Sequence, residues 1–120
     1  MNKIAICLAG FALFFSLAQA SHAAKVLSGD EIKALITDKT VTVTAGSNQW
    51  RQYFAADGSS ARDNGQSSTW SVEGDKHCNT AAASFPCAPI RDNGDGTYAR
   101  IKDNGDVIVN WSKIVDGKNF

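Results

Sequence analysis

No block of basic residues and no acidic tail occurs in this chain, whose twelve Lys and Arg balance twelve Asp and Glu. Nucleic acid and anionic membrane surfaces are therefore not expected partners, since both are held by concentrated positive charge. Equally absent are the G-x-S-x-G elbow, the H-E-x-x-H pair, a P-loop and a free catalytic cysteine. No catalytic residue, cofactor or metal ligand is assigned on this basis. Long apolar runs are scarce too, with only one, at the N-terminus.

That run spans Ile4 to Ala18 behind Asn2 and Lys3, and small residues follow at Ala18-Gln19-Ala20 and Ser21-His22-Ala23. The pattern is that of a secretory signal peptide, residues 1–23, too short for a comfortable membrane span. A single small domain over residues 24–120 is expected in the periplasm or secreted, with no membrane attachment after cleavage. Without Lys3, eleven basic residues face twelve acidic ones. Of three cysteines, Cys7 leaves with the leader, and Cys78 and Cys87 remain. An even count in an exported chain implies a disulfide. Closing a ring of about nine residues is worth roughly 2–3 kcal/mol. Eight intervening residues fit neither a C-x-x-C redox motif nor a zinc knuckle.

Ser28-Gly29-Asp30-Glu31 is a capping box, and Ile32, Leu35 and Ile36 follow at helical spacing, predicting a short helix over Gly29 to Thr37. Strand signals dominate thereafter. Thr40 to Ala45 alternates, and Gly46-Ser47 suits a two-residue type II′ turn setting Val43 opposite Trp50 and Val41 opposite Gln52. Residues 59–68 are polar and read as a weak strand or a loop. Thr69 to Val72 is a strand, with another starting at His77. Pro86 lacks an amide donor, which places the return to Cys87 at a sheet edge. Strands then run from about Ala88 to Arg91 and from Thr97 to Lys102. Asn104-Gly105 predicts a final hairpin pairing Ile101 with Ile108, Arg100 with Val109 and Tyr98 with Trp111.

The capped helix, Trp50, Tyr53, Asp57-Gly58, the strand Thr69-Trp70-Ser71-Val72-Glu73-Gly74-Asp75 with Cys78, then Cys87 and Gly117-Lys118-Asn119, form a pattern over nearly the whole mature chain. It resembles a group of small exported proteobacterial proteins, a domain family of unknown function. Ser68 stands where that pattern has glycine. The resemblance implies export and fold, and transfers no active site.

The expected class is α+β, mainly β: a short N-terminal helix packed on a curved antiparallel sheet of about six or seven strands. Partial closure like a small barrel stays open at this stage. Asp63, Asp92, Asp95, Asp103 and Asp106 sit in Asn-Gly or Asp-Gly turns, where hairpin geometry explains them better than calcium. His77 could pair with Asp75 along one strand face. The candidate binding face is Tyr98, Arg100, Lys102 and Trp111, exposed aromatics beside basic groups, which is the make-up of a recognition surface. Ala99, Ile101 and Ile108 make the opposite face more apolar, so Trp111 is expected to be partly exposed. The preferred function is an exported non-enzymatic binding module, an inhibitor or accessory of another exported protein. The alternatives are a small-ligand carrier with a helix–sheet pocket and an enzyme with an unrecognised Asp/His site.

Overall fold

A computed structural model describes residues 22–120. The apolar stretch of the expected leader lies outside the described residues. His22 and Ala23, assigned to the leader from sequence, lie against the domain. The His22 N–H donates to Gly94 O at 2.9 Å, and its ring Nε2 is 2.9 Å from Asp92 Oδ2. Gly94 must be a glycine for this docking, because a Cβ there would coincide with the His22 carbonyl.

Helix α1 (Gly29–Ile36) starts where the capping box predicts. Ser28 Oγ accepts the Glu31 amide, Glu31 Oε1 accepts the Ser28 amide, and Ile32 and Ile36 face inward, fully buried. Asp75 Oδ1 takes the Gly29 amide at 2.8 Å, tying the helix start to the turn Gly74-Asp75.

Ten strands follow an antiparallel ladder: β1 (Lys25–Val26), β2 (Lys39–Ala45), β3 (Asn48–Phe54), β4 (Ser59–Arg62), β5 (Ser67–Glu73), β6 (Lys76–Asn79), β7 (Cys87–Ala88), β8 (Ile90–Asp92), β9 (Tyr98–Ile101) and β10 (Val107–Asp116). Their spatial order is β1-β8-β9-β10-β2-β3-β4-β5-β6-β7. The sheet is curled into a half-barrel with α1 against it, and ten strands replace the six or seven expected. Three sites supply the excess. The polar stretch 59–68 divides into β4 and the start of β5, Pro89 splits the return strand in two, and β1 adds an edge. These short strands are held by backbone pairing and carry little side-chain alternation to betray them.

Chain connectivity requires the curl. Strand β8 is second in the order and β7 last, yet Pro89 alone separates them. In a flat sheet eight strand spacings would put them about 38 Å apart. One linking residue spans roughly 7 Å. The core inside the curl joins Leu27, Ile32 and Ile36 to Val41, Val43, Phe54, Ile90 and Trp111.

The hairpin β2–β3 has the expected register, Val43 opposite Trp50 and Val41 opposite Gln52, with Gly46 at φ 61 in its turn. In the last hairpin Arg100 pairs with Val109 and Tyr98 with Trp111, as expected. Ile101 pairs with Val107 instead of Ile108, because a bulge between Val107 and Val109 inserts a residue. Among the described residues no helix is long and apolar enough to cross a membrane.

Candidate functional site

Residues 98, 100 and 111 share one strand face, but that face is the concave one. Trp111 is 1% exposed and Arg100 4% exposed, while Tyr98 is half-buried. The expectation of a partly exposed Trp111 is therefore corrected. Period-two alternation says which residues lie together, and on β9 both faces are covered: Ala99 and Ile101 are buried as well. Lys102 alone of the expected face is well exposed, its Nζ 5.2 Å above the Phe85 ring.

Arg100 organises this region. Its Nε donates to His77 Nδ1 at 3.0 Å, and its Nη2 donates to the carbonyls of His77, Phe85 and Pro86 at 3.0–3.2 Å. One guanidinium thus ties β9 to β6 and to the segment leading into β7. Strands β6 and β7 are also joined covalently by the Cys78–Cys87 disulfide, at directly opposed positions. Such a bond is consistent with an oxidising compartment. Burial lowers Arg100 to about 10, which leaves it charged at neutral pH.

His77 is fully enclosed, with its ring edge-on to both Phe54 and Trp111. Burial first, and the Arg100 charge second, push its pKa down to about 3. It is therefore neutral, and because Nδ1 accepts from Arg100 the proton sits on Nε2. That Nε2–H finds no partner among the described residues. The Asp75 pairing considered from sequence does not form, since Asp75 serves the helix.

Beside this pair the concave face opens into a cavity of about 230 Å³. Val43, Phe54 and Trp111 floor it, Trp50 and Val109 wall it, and residues 82–85 of the disulfide-closed loop rim it. Its polar lining is Gln52, Arg62, His77, Asn79 and Arg100. The Gln52 amide is engaged on both sides, accepting from Trp50 Nε1 and donating to Ser60 Oγ. Arg62 stacks over Trp50, 4.3 Å from ring to guanidinium carbon, and its buried Nε has no acceptor among the described residues. Burial lowers the Arg62 pKa.

Sequence reasoning set Trp50 opposite Val43 and Gln52 opposite Val41 but missed Gln52 and Arg62 as functional groups. Gln52 is legible only as a polar residue on an apolar face. Arg62 lies in the segment without a clear pattern, and only the β3–β4 register, Gln52 opposite Arg62, brings it to the cavity.

The acidic turns are occupied by their own backbone. Asp92 accepts the Gly94 amide and Asp95 the amide and hydroxyl of Thr97. Asn104 and Asn64 do the same for Asp106 and Gln66. Asp63 Oδ2 meets the Arg51 amide, and Asp103 lies 3.7 Å from Lys76 Nζ. Glu73 comes close to both Cys78 and Cys87, whose sulfurs are spent in the disulfide. No family model matches the chain, and no curated protein or solved structure matches it either.

Proposed function

We propose that this protein is an exported, non-enzymatic binding module whose site is the cavity on the concave face. The observation that carries the reading is an apolar cavity bordered by polar side chains, beside which two buried donors, Arg62 Nε and His77 Nε2, have no partner among the described residues. A buried donor without a partner costs on the order of 1–3 kcal/mol. Strain of this kind marks a region not built for packing alone, and apolar walls with a few converging polar groups are the usual make-up of a small-molecule site.

This places the carrier reading ahead of the inhibitor reading. Arg100 and Trp111 were to anchor a recognition surface, and both are buried. The pocket differs from the one envisaged between helix and sheet, because no α1 residue lines it. An enzymatic reading has less support. His77 stays neutral, its Nδ1 is taken by Arg100, and Asp75 is engaged elsewhere. A periplasmic or secreted location accords with the leader-like N-terminus and the disulfide.

Titration of ¹⁵N-labelled protein with indole and phenol tests the cavity. Saturable shifts are expected at Val43, Gln52, Arg62 and Val109 and at the indole N–H of Trp50. Shifts scattered over the outer surface, or none, would refute the assignment.

A further inference from the structure

We infer that the cavity takes a small carboxylic acid with a single-ring or branched apolar body, its carboxylate meeting Arg62; this rests on the cavity being the binding site. The argument begins with charge. Arg62 and Arg100 both line the cavity, and among the described residues neither lies within ion-pair distance of a carboxylate. All bonds made by the Arg100 guanidinium go to neutral acceptors, and Nη1 makes none to described residues. The Arg62 side chain rests on the Trp50 ring and donates to no described residue. Two positive charges thus border an apolar space with no carboxylate among the described residues within ion-pair distance of either. An entering anion gains from both, a neutral molecule from neither, and a cation is repelled.

The geometry of the donors narrows the anion. A planar guanidinium fork matches a carboxylate with two parallel bonds. The fork fits phosphate as well, but phosphate sites commonly add backbone amides at helix N-termini or nests. The N-terminus of α1 is satisfied by Ser28 and Asp75, and α1 does not reach the cavity. Size narrows the body. At about 230 Å³ the cavity is smaller than sites for drug-sized molecules, which run from roughly 300 Å³ upward. Val43, Trp50 and Trp111 give that body apolar and aromatic contact.

Isothermal titration with 3-phenylpropionate, 3-phenylpropanamide, 3-phenylpropylamine and benzylphosphonate separates the possibilities. The acid is expected to bind at least about tenfold more tightly than the amide, with no binding of the amine. Arg62→Gln is expected to cut the preference for the acid over the amide. An unaltered far-ultraviolet spectrum and melting temperature for the variant establish that the loss is local. Equal binding of acid and amide overturns the carboxylate inference while leaving the cavity as a binding site. Tighter binding of the phosphonate overturns the choice of carboxylate, and an undiminished preference for the acid in Arg62→Gln overturns the role of Arg62. Failure of all four compounds to bind overturns both the inference and the reading beneath it.

Discussion

Arg100 holds a full charge in the interior by surrounding it with carbonyl oxygens and one imidazole nitrogen. A side chain that reads from sequence as half of an exposed aromatic-basic pair is in fact an internal strut. Its neighbour Trp111 shares the reversal, and its burial sets a clear expectation. Trp111→Ala should lose roughly 3–5 kcal/mol, the usual cost of emptying a large aromatic site. Denaturant unfolding measures it, and a loss under 1 kcal/mol would return Trp111 to the surface. His77 carries a second expectation, in pH. The unfolded chain takes up its proton near the ordinary value of 6.5, whereas the folded chain does so only at about 3. Between those values the unfolded state holds a proton that the native state lacks. Stability from this residue is therefore complete above pH 6.5 and falls by about 1.4 kcal/mol per unit as pH drops toward 3. Imidazole resonances of His77 in the folded protein should stay fixed from pH 7 to 4.5, and a midpoint near 6.5 would contradict its enclosure.

Helix α1 meets the sheet through a contact so close that only glycine fits. A Cβ on Gly29 would lie 2.2 Å from the Gly74 carbonyl oxygen. Helix propensity alone predicts that Gly29→Ala stabilises the helix by up to about 1 kcal/mol. Backbone packing opposes this and should win, giving a net loss of about 1–3 kcal/mol by urea unfolding. Gly29→Ala matching or exceeding the parent would show that the helix can lift without cost. Local signals of this kind were legible: the capping box, the Gly46-Ser47 turn and the Asn104-Gly105 hairpin each act over a few residues. What escaped is non-local. Pairing of β10 with β2 joins Trp111 to Val43, distant in sequence, and no short-range pattern announces it. The bulge at Val107–Val109 was equally silent, because an extra residue shifts the pairing without changing composition. Arg62 reaches the cavity by such register alone. The sign of a face is set by the curl, which covers both sides of β9 and defeats a rule built on one wet side and one dry.

At the scale of the molecule, a curled sheet brings β7 and β8 to one seam, crossed by Pro89 and by Arg100, with the disulfide tying β7 to β6 beside it. Cys78→Ser with Cys87→Ser should cost about 2–3 kcal/mol, through loss of loop-closure constraint on the unfolded chain. A double variant as stable as its parent would assign the seam's strength to Arg100 alone. The margins of the sheet have a further consequence. Ten strands end in two edges, β1 and β7, and each is only two residues long. An unpaired edge is a template on which a second chain can add a strand and begin a fibril. Here almost no template is offered, even though strands dominate the secondary structure of the described residues. Opening the disulfide should loosen β7 and bare the two β6 residues it pairs, His77 and Cys78. Thioflavin T fluorescence should therefore rise in concentrated protein held under reductant and stay flat in the oxidised form; a flat response in both would show that Arg100 keeps the margin closed without the bond.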